Sequence, residues 1–106
     1  MGILSFSKAP DINAGYERFL AHPGALLVDV RNRSEYSAGH IPGSCNIPLH
    51  RLEDVEDLAP DRSTPLYVYC LSGGRSSQAL AILQEMGYDQ AINIGGIRAY
   101  KGKLEE

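Results

Sequence analysis

The chain is poor in cysteine, has no concentration of charge and lacks any long apolar run, and each shortage removes a class of protein. Two cysteines in 106 residues, Cys45 and Cys70, are too few for a disulfide scaffold. Neither a Cys-x-x-Cys pair nor a Cys/His ligand spacing occurs, so no metal site is expected. A net charge of −3 provides no general attraction to nucleic acid or to an anionic membrane. No apolar stretch approaches the roughly 18 residues of a membrane span. Met1 to Ser7 lacks the basic and apolar regions of a secretory signal, and Phe6 breaks the myristoylation pattern. The expectation is a cytoplasmic protein, in which the glycosylation-like triplet Asn32-Arg33-Ser34 carries no meaning.

With no internal repeat, low-complexity tract or linker, residues 1–106 read as one domain. Short apolar runs alternate with helical patterns. Ile3 to Phe6 is a candidate strand. Asp11 to about Ala21 is a candidate helix with Ile12, Tyr16, Phe19 and Leu20 on one face, ended by Pro23-Gly24. Ala25 to Val30 reads as a strand buried on both faces, and Ser34 to Ala38 as a helical turn stopped by Gly39. Cys45 to Ile47 is a short strand between Pro42 and Pro48, followed by a helix over Leu49 to Leu58. Leu66 to Tyr69 is a second buried strand. Ser76 to Met86 is the clearest helix, with Ala79, Leu80, Ile82, Leu83 and Met86 at helical spacing and Gly87 closing it. Ala91 to Ile94 is a further strand, followed by a short last helix. Such alternation predicts an α/β fold with a mostly parallel central sheet of about five strands flanked by helices. Sites in these sheets lie beyond the carboxyl ends of strands, where Asp29 and Cys70 fall.

The stretch after the second buried strand carries the chemistry. Cys70 is followed by Leu71-Ser72-Gly73-Gly74-Arg75, read as a strand-to-helix turn, and then by Ser76. Glycines free the backbone to curl, so that successive N–H groups point at one spot. Those amides and the positive end of the next helix form an anion cradle around the sulfur and favour thiolate over thiol. Arg75 adds a permanent charge on a planar fork suited to an oxyanion. A buried cysteine beside an ordinary turn would account for Cys70 alone. A thiol, a glycine turn, a guanidinium and a helix start within one run instead describe an anion-handling nucleophile. The substrate-binding candidates are Leu71, Ser72, Gly73, Gly74, Arg75 and Ser76; Ser76 and Ser77 are also placed to satisfy the helix start.

The run Cys70-Leu71-Ser72-Gly73-Gly74-Arg75-Ser76-Ser77-Gln78-Ala79 resembles the active-site loop of single-domain rhodaneses, the thiosulfate-type sulfurtransferases. Other pieces agree in order: Leu26-Leu27-Val28-Asp29-Val30-Arg31, Glu35-Tyr36, Gly39-His40-Ile41-Pro42-Gly43-Ser44-Cys45-Asn46-Ile47-Pro48, and Asn93-Ile94-Gly95-Gly96-Ile97 with Tyr100. The resemblance covers about residues 12–102 and implies the rhodanese-like three-layer sandwich. It further implies sulfane sulfur transfer through a persulfide on Cys70, with Arg75 binding the anionic donor or fixing the loop. No cofactor is implied. The implied partners are a small anionic sulfur donor and a thiol or cyanide acceptor, with a persulfide-carrying protein as a further candidate. Related phosphatases and arsenate reductases carry five residues between cysteine and arginine, whereas Cys70 and Arg75 have four, which favours sulfur transfer. A non-catalytic sensing or binding module is the third reading. Two positions depart from the family pattern: Leu71 replaces a residue that is often basic or polar, and Tyr100 stands where tryptophan is common.

Asp29, Arg31, Glu35 and His40 are expected to support the site. Arg31 and Glu35 are four apart and are predicted to pair, fixing the loop into Gly39-His40. The resemblance places Asp29 near the active loop. His40, in a Pro-Gly bend, is read as a hydrogen-bonded structural histidine. Cys45 is read as core filler, with a resolving thiol as the alternative. The charged tail from Lys101 to Glu106 is expected to fray.

Overall fold

The computed structural model describes residues 10–106; the candidate strand Ile3–Phe6 lies outside them. In chain order the elements are α1 (Ile12–Leu20), β1 (Leu26–Asp29), α2 (Arg33–Ala38), β2 (Ser44–Asn46), a 3-10 segment (Leu49–Asp54), α3 (Val55–Leu58), β3 (Leu66–Cys70), α4 (Gly74–Glu85), β4 (Ala91–Gly96) and a closing 3-10 turn (Ile97–Ala99). The strands form one sheet in the order β2-β1-β3-β4, every adjacent pair parallel. Among the described residues the sheet thus has four strands, not about five.

Alternation along β3 divides the core. Leu66, Val68 and Cys70 face one side, where Val28 of the neighbouring strand and Val30 just beyond its end meet Leu52, Val55, Ala79 and Leu83. Tyr67 and Tyr69 face the other side with Leu27, Ile94 and Ile12 of α1. All five β3 residues are buried, as a strand covered on both faces requires. The result is a three-layer sandwich with Cys70 on the α4 side of the sheet.

Four local expectations are corrected. Leu49–Leu58 is not one helix: Arg51, at φ −124°, interrupts it, so a 3-10 segment and a short α-helix drop Leu52 and Val55 into the core. Helix α4 begins at Gly74 rather than Ser76, which moves Arg75 from the loop into the first turn. On α4 Ala79 and Leu83 are buried, with Leu80 and Met86 packed against the same core, but Ile82 is exposed; on α1 Ile12 and Gly15 are buried, with Tyr16 and Phe19 packed against the core, but Leu20 is exposed. Gly15 is needed there because a Cβ would run into Ile94. The C-terminal tail does not fray, since His40 and Glu105 exchange backbone hydrogen bonds of 2.8 and 2.9 Å.

Candidate functional site

Cys70 is the last residue of β3, delivered at the carboxyl edge of the sheet against the N-terminal end of α4. The chain turns between them in three residues. Gly73 makes this turn possible: at φ +107° it occupies the left-handed region that a side chain disfavours, and its amide comes 3.0 Å from Cys70 Sγ. Ser76, in the first turn of α4 and fully buried, places its Oγ 3.3 Å from the same sulfur. Burial pushes the thiol up. The Ser76 hydroxyl and the amides of Ser76, Gly73 and Ser72 outweigh it and hold the Cys70 thiol below its ordinary value. Ser76 therefore serves the sulfur rather than capping the helix, whose N-cap position is Gly73. No hydrogen bond to the sulfur comes from the amides of Leu71, Gly74 or Arg75.

The Ser76 hydroxyl has one proton and three neighbours able to accept it: Cys70 Sγ, the Gly73 carbonyl at 3.1 Å and Asn93 Oδ1 at 2.7 Å. Asn93 Oδ1 also accepts the Gly95 amide at 2.9 Å. The β3–β4 register shifts between Val68 and Tyr69, which sets Gly95 and Gly96 beside Tyr69 and Cys70. A Cβ on Gly96 would meet the backbone of Leu71 and Ser72, so that glycine lets β4 close against the loop. In the sequence Asn93 stands out only as part of the closing Asn93-Ile94-Gly95-Gly96-Ile97 segment. A polar residue inside the strand run Ala91 to Ile94 was the available signal for its role.

Arg75 does not point at the sulfur as a free cation. Its Nη1 and Nη2 donate to Glu35 Oε1 and Oε2 at 2.8 and 3.0 Å. The Arg75 guanidinium is the main reason that the Glu35 carboxyl sits at about 2; the Asn32 amide, at 2.9 Å, adds to it. The expected Arg31–Glu35 pair is thereby corrected. Arg31 instead grips Asp29, with Nε 3.0 Å from both carboxylate oxygens and Nη2 2.7 Å from Oδ2. Both side chains are buried, and Arg31 Nη2 also donates to the Gly39 carbonyl at 2.7 Å. A partner two residues away on the same strand end is closer than one across a helical turn. Asn46 clamps the same bend by donating to the carbonyls of Asp29 and Arg31, each at 2.9 Å.

His40 stacks on Tyr36, ring centroids 3.8 Å apart, and its Nδ1 donates to the Tyr36 carbonyl at 2.9 Å, a structural placement. Cys45 is half-buried with its Sγ 3.5 Å from the Leu27 carbonyl, and burial pushes its thiol up. It lies on β2, two strands from Cys70 on β3, too far for a disulfide.

A cleft of about 520 Å³ opens beside the loop, with Leu71, Ser72 and Gly73 on one wall and Gly96, Arg98 and Ala99 on another. A larger one, about 620 Å³, lies between Arg33, Asn46, His50, Arg51 and Asp54 and includes no residue of the Cys70 loop. The chemistry of Cys70 singles out the smaller cleft.

Residues 14–103 match the model of the rhodanese-like domain. The human thiosulfate:glutathione sulfurtransferase is 35% identical over 112 residues, covering 92% of this chain and 96% of that protein. The adenylyltransferase and sulfurtransferase uba4 of Ogataea parapolymorpha is 33% identical over 96 residues, covering 90% of this chain; the chain spans only 25% of that larger protein. Among solved structures, an E. coli rhodanese with anions superposes with a TM-score of 0.72 at 35% identity, covering 77% of this chain and 98% of that one.

Proposed function

This chain belongs to the rhodanese-like domain family, and we propose that it is a sulfurtransferase that carries a sulfane sulfur as a persulfide on Cys70. The observation that carries this reading is the arrangement around Sγ. A buried sulfur with the Gly73 amide at 3.0 Å and the Ser76 hydroxyl at 3.3 Å is built to exist as an anion. The human relative, named for thiosulfate and glutathione, supports a small anionic donor and a thiol acceptor.

In the first half-reaction the Cys70 thiolate attacks the outer sulfur of thiosulfate. A Cys70 S–S bond forms, the S–S bond of thiosulfate breaks, and sulfite departs with the electron pair. The persulfide anion carries the same net charge, moved one S–S bond from Sγ onto the outer sulfur, so the positive field of the loop amides and of the start of α4 acts on both states. In the second, an acceptor thiol attacks the terminal sulfur. The new S–S bond belongs to the acceptor, which keeps its proton as a hydropersulfide, and the electron pair of the broken bond returns to Cys70. Cyanide in the same step leaves as thiocyanate. Neither half needs an external oxidant or reductant.

Arg75 acts here as an anchor of the loop. Its paired guanidinium fixes the start of α4, and with it Ser76 and the amides facing the sulfur. Asp29, Arg31 and Asn46 brace the bend that carries Glu35. Steady-state transfer from thiosulfate, polysulfide and mercaptopyruvate to cyanide or a dithiol tests the reading. Turnover with at least one donor, abolished in Cys70→Ser, is expected. Hydrolysis of a generic phosphoester exceeding all sulfur transfer would replace it with the phosphatase reading.

A further inference from the structure

Among the described residues that line the cleft beside the Cys70 loop, only Arg98 is ionic, and none is a carboxylate. Among the described residues Arg98 has neither an ion pair nor a side-chain hydrogen bond. Residues 1–9 contain no aspartate or glutamate and so bring no acid to it. Its position is nevertheless fixed, because the Arg98 amide donates to the Leu71 carbonyl at 3.1 Å, one residue from the nucleophile. Arg75, the nearer arginine in sequence, has both terminal nitrogens committed to Glu35 and does not line the cleft.

Size and polarity narrow the occupant. A cleft of about 520 Å³ falls within the range of about 300–1,000 Å³ used by organic ligands, well beyond what cyanide fills. Leu71, Ala99 and Pro10 supply apolar wall, and Arg98 a single planar fork suited to a carboxylate. We propose that Arg98 determines acceptor specificity by binding the carboxylate of a small organic thiol, whose sulfur then attacks the persulfide on Cys70. The apolar wall takes the carbon stem between the two groups. Leu71, one of the two departures from the family pattern, belongs to that wall. The proposal rests on the sulfur-transfer reading above.

The test compares two acceptors of similar size, 3-mercaptopropionate and neutral 2-mercaptoethanol, at fixed thiosulfate. In a ping-pong reaction kcat/KM for the acceptor reports only the second half-reaction, so any effect of Arg98 on the donor drops out. Arg98→Ala should lower the ratio of the anionic to the neutral thiol by about tenfold or more, the scale of one hydrogen bond to a charged group. Arg98→Lys should retain part of that preference. Arg98→Glu should reverse it and favour cationic 2-mercaptoethylamine over 2-mercaptoethanol. A ratio unchanged within about twofold in all three variants, with transfer intact, would overturn the role of Arg98 alone. No transfer to any thiol by the unmodified protein would overturn both this proposal and the thiol-acceptor half of the reading beneath it; Cys70 persulfide formation from thiosulfate would show that the donor half stands.

Discussion

Glu35 and Arg75, 40 residues apart in sequence, are joined by two parallel hydrogen bonds of 2.8 and 3.0 Å. The pair ties the first turn of α2 to the first turn of α4 and so fixes the end of the loop that holds Cys70. Both side chains are about one-third exposed, at 32% and 29%, so its worth lies more in geometry than in energy.

Glu35→Gln should therefore cost no more than about 1 kcal/mol of stability at neutral pH. The carboxyl is lowered from 4.5 to about 2 in the folded chain, with its bond to Arg75 as the first cause. The pair's contribution is full above about pH 4.5 and is lost as pH falls towards 2. Urea unfolding of both proteins at several pH values should show a gap at neutral pH that closes in acid. A gap that widens in acid would contradict the assignment.

Ser76→Ala removes the hydroxyl that most directly offsets the burial of Cys70. The Cys70 thiol should then titrate higher, seen as an upward shift in the pH midpoint of alkylation by iodoacetamide. Reactivity should fall at neutral pH and recover in alkali, where both proteins are thiolate. A loss of equal size at every pH would instead indicate a damaged fold.

Asn93 gives a prediction of opposite signs. Its Oδ1, 2.7 Å from Ser76 Oγ, competes with the sulfur for the hydroxyl proton. Asn93→Asp places a negative charge there and should raise the Cys70 midpoint. Asn93→Ala releases the proton to the sulfur and should lower it. Midpoints moving together in the two variants would show that Asn93 acts through the Gly95 turn alone.

What the sequence revealed and what it hid separate along the same lines. The buried strand Leu66–Cys70, the thiol at its end and the glycine turn were legible because a strand buried on both faces reads as a continuous apolar run. The start of α4 was not, since Gly73-Gly74 reads as loop until one knows that only Gly73 is left-handed. The Glu35–Arg75 pair was hidden because spacing rules see three or four residues along a helix, and the true partner is 40 away. Arg31 showed the same limit, taking Asp29 on its own strand end over Glu35. Asn93 became a site residue only through the register shift that turns β4 towards the loop.

The buried Asp29–Arg31 pair should dominate stability among the supporting residues. Asp29→Ala leaves the Arg31 charge buried without its partner, an error worth about 3–5 kcal/mol. Replacing both, as Asp29→Leu with Arg31→Met, should recover much of that loss in urea unfolding. A double variant as unstable as Asp29→Ala would place the cost in the Gly39 and Asn46 hydrogen bonds instead.

The central claim is that Cys70 carries sulfur, and intact-mass spectrometry after incubation with thiosulfate or polysulfide addresses it directly. The account predicts a gain of about 32 Da, one sulfur, that maps to Cys70, is removed by a dithiol and is absent from Cys70→Ser. An unmodified mass with every sulfane donor, or an adduct that maps to Cys45 instead, would contradict it.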